Sequence, residues 1–298
     1  MFEELLTEQI NPASEGIDAL PTEAILRIIN EEDHKVPAAV QAEIPKIAKA
    51  VEAAASAIRA GGRMFYVGAG TSGRLGVLDA AEIPPTFNLD TSLVQGILAG
   101  GEQALTRSTE AAEDHPEIGA ADLESRGCKT GDIVVGIAAS GRTPYVLGAI
   151  AAARGIGAVT IGISCTPDSE LSRAVDIPIT PLTGPEIIAG STRMKAGTAT
   201  KLILNMLSTA TMIRLGHVYG NLMVNVQPNN SKLLDRATRI VSQAIGVDYA
   251  AASELLRAAG GVVKTAIVMG KLGIGRQEAE KKLEHCEGRV SEAIQRYG

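Results

Sequence analysis

The chain has 298 residues, 45% of them hydrophobic and 21% charged, a balance that suits one large folded core with a small appendage and argues against long disorder. Trp is absent and only 3% of residues are aromatic, which speaks against stacking platforms for single-stranded nucleic acid and against the aromatic troughs that read polysaccharides. With 28 Lys and Arg against 34 Asp and Glu, a net charge of -6 and no basic run, neither nucleic acid nor an anionic membrane is expected as the main partner.

The opening residues, MFEELLTEQI, show neither the basic region nor the apolar core of a signal peptide. The longest apolar stretch, 146–164, contains Arg154 and several glycines and reads as a helix followed by a buried strand rather than a membrane span. Cys128, Cys165 and Cys286 are scattered and imply no disulfide framework, and the four histidines lack metal-ligand spacing. A cytoplasmic protein without metal or cofactor is the expectation.

In chain order, Val36, Val40, Ile44, Ile47, Val51 and Ile58 share one face and Gly61-Gly62 follows, so the spacing predicts one long amphipathic helix over 36–60. Short apolar runs without alternation follow at 64–67, 93–98, 133–137, 159–163 and 175–179, the pattern of strands buried on both faces of a parallel sheet. Helix-like stretches at 103–112, 144–153 and 192–215 lie between and after them. The fold class is α/β: an open αβα sandwich of about five parallel strands, with binding sites at the strand C-terminal ends. After Gln227-Pro228-Asn229-Asn230 the strand signals stop, and we divide the chain into a main domain, 1–237, and a helical tail, 238–298. Within the tail, Gly246-Val247, Ala252, Leu256, Gly261, Val263 and Ala266-Ile267 recur 27 residues later as Gly273-Ile274, Ala279, Leu283, Gly288, Val290 and Ala293-Ile294, which predicts two similar helical hairpins.

Three loops carry candidate chemistry. GAGTSGR, Gly68 to Arg74, follows a strand and precedes a helix; its glycines let backbone approach a ligand, and free N–H groups at a helix start attract phosphate. Gly68, Gly70 and Gly73 also satisfy the dinucleotide pattern G-x-G-x-x-G, but no acidic residue ends the next strand to hold a ribose, and no Gly-Lys-Ser/Thr follows to make a P-loop. Ser140-Gly141-Arg142-Thr143-Pro144 repeats the Ser-Gly-Arg of the first loop after another strand, and Gly190-Ser191-Thr192-Arg193, with Lys195, opens the long helix. Ser and Thr are ordinary N-caps, so one such loop would be weak. Three in register suit the phosphate and hydroxyls of one small sugar. The candidate binding residues are therefore Gly70, Thr71, Ser72, Gly73, Arg74, Ser140, Gly141, Arg142, Thr143, Ser191, Thr192 and Lys195. Among the acids, Glu82 precedes Pro84-Pro85, which should stop its helix near the pocket mouth, and Glu113 ends the helical stretch after the second strand; on residues alone each reads as a solvated helix-end acid.

The strand-GAGTSGR-helix and strand-AASGRTP-helix units resemble the sugar isomerase (SIS) domain, which binds phosphosugars. The strings FYVGAGTSGRLGVLDAAEIPPTF, GIAASGRTPYV and GSTRMKAGTATKLILNMLST, with ILRIINEEDHKVPAAV, EAAEDH and GNLMVNV, resemble one family within it, the N-acetylmuramic acid 6-phosphate etherases. Pro21 departs from the pattern, away from the loops. The resemblance covers nearly the whole chain and extends to a tail similar to ubiquitin-associated-type bundles. It implies a homodimer with sites near the interface and maps the family's two catalytic acids onto Glu82 and Glu113. The implied reaction removes the C2 proton of the open-chain sugar, expels the lactyl oxygen from C3 and adds water, giving D-lactate and N-acetylglucosamine 6-phosphate. Glu82 is assigned as proton donor, with a pKa raised by partial burial, and Glu113 as C2 base. Arg74 and Arg142 either pair with the phosphate or cap their loops. The alternatives are an aldose-ketose phosphosugar isomerase and a non-catalytic sugar-phosphate sensor; the latter lacks a basic recognition helix here.

Overall fold

The computed structural model describes residues 6–107 and 112–298. The chain divides into two compact units, one made of Met1–Glu82 with Thr91–Ser208 and the other of Ile83–Asp90 with Thr209–Gly298.

In the first unit, 3-10 turns at Leu6–Glu8, Pro12–Ser14 and Ile17–Ala19 lead into α1 (Thr22–Asp33), α2 (Lys35–Ala42) and α3 (Ile44–Arg59). Pro21 stands at the N-cap of α1, where its ring offers no capping acceptor. The single helix predicted over 36–60 is two helices that break at Glu43. Pro45, in the first turn of α3, has no N–H to carry the ladder across the break, and the Glu43 carboxylate is drawn off to accept from the Thr180 N–H at 2.8 Å.

Strands β1 (Met64–Gly68), β2 (Val94–Leu98), β3 (Ile133–Ile137), β4 (Val159–Ile163) and β5 (Ile177–Ile179) form one parallel sheet in the order β2-β1-β3-β4-β5. Helices α4 (Gly70–Phe87), α5 (Pro116–Ser125), α6 (Pro144–Ile156), α7 (Glu170–Ala174) and α8 (Lys195–Arg214) connect and follow them. Every residue of β1 and β3 is buried, as the unbroken apolar runs predicted, and the α/β class and the five parallel strands stand as expected. The connections turn opposite ways after β1 and after β3, so the ends of these neighbouring strands, paired at Gly68 and Ile137, form the topological switch point where α/β sheets bind ligands. The helix expected over 103–112 is a 3-10 turn at Gly101–Leu105, and residues 108–111 lie outside the described chain. Helix α4 does not stop before its two prolines. It runs through Pro84 and Pro85 to Phe87, because proline's fixed φ suits a helix and only the bonds to the Ala80 and Ala81 carbonyls are lost.

The second unit contains the hairpin of β6 (Val218–Tyr219) and β7 (Leu222–Met223), then α9 (Ser231–Ile245), α10 (Tyr249–Ala258), α11 (Val263–Leu272), α12 (Arg276–His285) and α13 (Val290–Tyr297). The starts of α10 and α11 recur 27 residues later as those of α12 and α13, which makes the sequence repeat two helical hairpins. Val241, Leu256, Ile267, Leu283 and Val290 are fully or nearly fully buried in one shared core.

Candidate functional site

The first two loops leave the sheet side by side at the switch point. In the first, Gly68 and Gly73 touch backbone to backbone: a Cβ on Gly73 would lie 2.4 Å from the Gly68 carbonyl oxygen. Gly70 starts α4 at a φ of +52°, which an L side chain rarely adopts. Gly70, Thr71 and Ser72 are first-turn residues, so their N–H groups have no intrahelical acceptor and point out of the helix start. In the second loop Gly141, at a φ of +68°, packs so closely that a Cβ would lie 2.2 Å from the Cβ of Ser169. Sequence reading missed that serine; its hydroxyl bonds Ser164 at 3.1 Å and caps α7. Ser140 accepts from the Arg142 N–H at 3.3 Å, and Thr143 stands at the N-cap of α6 without a capping bond. The hydroxyls of Thr71, Ser72 and Thr143 are part-buried and bond no other described residue. The part-buried hydroxyls and the start of α4 together make a polar surface suited to a small phosphorylated, hydroxylated ligand.

The two arginines have protein partners. Arg74 donates to the Ala104 and Arg107 carbonyls at 2.9 and 3.3 Å, and Arg142 lies 3.8 Å from the Glu170 carboxylate. Of the two roles weighed for them, these contacts match the loop cap.

The third loop behaves differently. Thr71 and the first turn of α8 do come together, for a Cβ on Gly197 would lie 3.6 Å from the Thr71 methyl, and Ser191 and Thr192 are part-buried. The start of α8, however, already holds an anion. Glu186, 1% exposed, accepts from the Lys195 and Ala196 N–H groups, both at 2.9 Å. Lys195 itself is 1% exposed and its ammonium bonds Glu32 at 2.7 Å, so the ligand role expected of it is replaced by a buried ion pair between residues far apart in the chain. Burial raises the Glu32 carboxyl, but hydrogen bonds from Lys195, Lys35 and Asn11 outweigh it and hold the pKa at about 2. Glu186 and Glu32 were missed because nothing local marks them; their partners are distant backbone or a distant lysine.

Glu113 lies at the open loops. Its carbonyl accepts the Tyr145 N–H of the first turn of α6 at 3.0 Å, and its side-chain Oε1 is 3.4 Å from where a Cβ on Gly70 would be. Glu82 does not stay near the loops. It is twelve residues along α4 from Gly70, which at 1.5 Å per residue is ~18 Å down the helix axis, and it is exposed rather than part-buried. Three residues before it, buried Asp79 accepts from Tyr66, Asn205 and Ser208 at 3.0, 2.7 and 3.2 Å and fixes this stretch of helix.

Among the described residues no cluster of His, Cys, Asp and Glu is placed to hold a metal ion, no helix is long and apolar enough to cross a membrane, and the three cysteines are buried and unpaired.

Residues 46–154 match the family described as the glucokinase regulatory protein N-terminal SIS domain. The chain is 52% identical over 295 residues to the N-acetylmuramic acid 6-phosphate etherase of Salinibacter ruber, with 99% of this chain and 95% of that one covered. It is also 52% identical over 288 residues to the protein of the same name from Aeromonas hydrophila, with 97% of each covered. Among solved structures, a ligand-bound protein of Escherichia coli CFT073 superposes with a TM-score of 0.50 at 16% identity, covering 68% of this chain and 97% of that one, a likeness of fold.

Proposed function

The chain belongs to the N-acetylmuramic acid 6-phosphate etherases, enzymes of the carbon-oxygen lyase class, and on that premise we propose that two copies build each active site, Glu113 coming from one and Glu82 from the other. The observation that carries this reading is the separation of the two acids. A base at C2 and an acid at the C3 oxygen must each sit within hydrogen-bond reach of adjacent atoms, whereas within one chain Glu82 lies ~18 Å down α4 from the loops that hold Glu113. A second copy supplies what the first lacks. Leu78, one turn before Glu82 on the same face, is 53% exposed, as a helix face that meets a partner would leave it.

The sugar phosphate then docks its phosphate at the starts of α4 and α6, with Thr71, Ser72, Ser140 and Thr143 around it and Ser191 and Thr192 at the rim. In the open-chain sugar, the Glu113 carboxylate removes the C2 proton, which the neighbouring aldehyde acidifies. The electron pair forms the C2–C3 double bond as the C3–O bond breaks, and Glu82 gives its proton to the departing oxygen of D-lactate. Water then adds at C3, giving one proton to Glu82 and keeping the other as the C3 hydroxyl, while Glu113 returns to C2 the proton it removed, leaving N-acetylglucosamine 6-phosphate. Docking of the partner would also bury Glu82, the condition an acid needs to keep its proton near neutral pH. The three unpaired thiols support a cytoplasmic setting.

Incubation with N-acetylmuramic acid 6-phosphate followed by lactate assay tests the activity, and sedimentation tests the dimer. The reading expects lactate from a dimeric protein. A ketose phosphate without lactate would move the chain to the isomerases, and full activity in a monomer would remove the shared site.

A further inference from the structure

The helical unit contains a group of unpaired cationic and polar atoms that the etherase reading does not use. Lys264 is part-buried in the first turn of α11, where the helix dipole repels a cation, and its ammonium has neither a carboxylate nor a carbonyl partner among the described residues. Burial holds its pKa below the ordinary lysine value. Facing it is the turn that starts α13: a Cβ on Gly288 would lie 3.6 Å from the Lys264 ammonium. The same turn packs against Gly216, whose added Cβ would lie 3.2 Å from the Gly288 carbonyl oxygen, and the next residue is His217. The Nδ1 atom of His217 is buried without a hydrogen-bond partner. Burial first, and then the Lys264 charge, push the imidazole down to about 4, against a hydrogen bond with Asn225 that raises it.

The nearby acids do not answer these charges. Glu287 and Glu292 are engaged by Arg289 at 3.5 and 2.8 Å. Both α11 and α13 begin without a side-chain cap, so the N–H groups of two helix starts add positive potential to the same place. A part-buried cation without a counter-charge is costly, and an anion bound beside it would remove that cost.

We propose that Lys264, His217 and the starts of α11 and α13 form a binding site for a phosphate group, free or carried on a small molecule such as a sugar phosphate. The anion pairs with the Lys264 ammonium and accepts from the first-turn N–H groups. Its charge favours protonation of His217, whose Nδ1 then becomes a donor to it. The site does not rest on the etherase reading, since none of its residues belongs to the sheet loops.

The full-length chain is followed by NMR of its histidine rings, with the His217 signal assigned by His217→Gln. It is titrated at constant ionic strength with inorganic phosphate in one arm and N-acetylglucosamine 6-phosphate in the other. A saturable shift of His217, with its pKa rising by about one unit or more at saturation, is expected in at least one arm. A response to inorganic phosphate assigns the free ion as sufficient, and a response to the sugar phosphate alone assigns the carried group. Lys264→Met should weaken the response about tenfold or more and, in phosphate-free buffer, leave the melting temperature unchanged or raised, because an uncompensated charge has gone. The proposal is overturned if neither probe gives a saturable shift, if Lys264→Met binds as the parent does, or if that variant melts lower without phosphate, which would show the ammonium to be a structural partner.

Discussion

Glu113 and Glu186 stand at helix starts of the same sheet and do opposite things. Glu186 is buried and commits both carboxylate oxygens to the N–H groups that open α8, so that helix start is closed and the residue belongs to the fold. Glu113 holds α6 through its backbone carbonyl, while its carboxylate lies beside the start of α4, where the character of the side chain can matter to a ligand. The loops before α4, α6 and α8 share Gly, Ser, Thr and Arg, yet of the three only the start of α8 has its N–H groups taken by a buried carboxylate among the described residues. A carboxylate from elsewhere in the chain can thus close a helix start to an outside anion, whatever the composition of its loop.

That contrast can be broken most severely by neutralising the acids. Glu113→Gln and Glu82→Gln should each lower turnover by roughly 10²- to 10⁴-fold or more, with phosphosugar binding retained in a direct binding assay and the melting temperature little changed. Glu186→Ala should do the reverse: two buried N–H groups lose their acceptors, for a loss of about 3 kcal/mol in denaturant unfolding, while the surviving folded protein still turns over. Acid should reach the Glu32–Lys195 pair behind α8 in a defined window. The Glu32 pKa is about 2 in the fold against 4.5 for the free carboxyl, so its contribution is complete above pH 4.5 and is lost as pH falls from 4.5 towards 2. By linkage this amounts to on the order of 3 kcal/mol, and Glu32→Gln should flatten the unfolding profile over that range. The smallest effects belong to the open loops: Ser72→Ala and Ser140→Ala should raise KM severalfold and change stability by about 0.5 kcal/mol or less.

Much of this was legible in the chain. The unbroken apolar runs marked strands buried on both faces, and Gly68, Gly70, Gly73 and Gly141 marked backbone that must turn tightly or approach closely. The 27-residue recurrence marked two helical hairpins because each copy repeats the same buried positions. What was illegible depended on contacts between distant residues. Lys195 looks like a ligand for phosphate until Glu32 is found beside it, and the start of α8 looks open until Glu186 folds over it. The place of Glu82 was misread for a local reason: Pro84-Pro85 suggested a short helix, whereas α4 accommodates both prolines and carries Glu82 away from the loops.

The shared site is the central claim, and mixing the two inactive variants tests it most directly. Glu82→Gln and Glu113→Gln homodimers, denatured together and refolded at equal concentration, should recover about one quarter of wild-type lactate release, because half the dimers are mixed and each mixed dimer holds one site with both acids intact. Recovery near that level would fit two copies per site. No recovery from mixed dimers shown by mass spectrometry to have formed would contradict it and return both acids to a single chain.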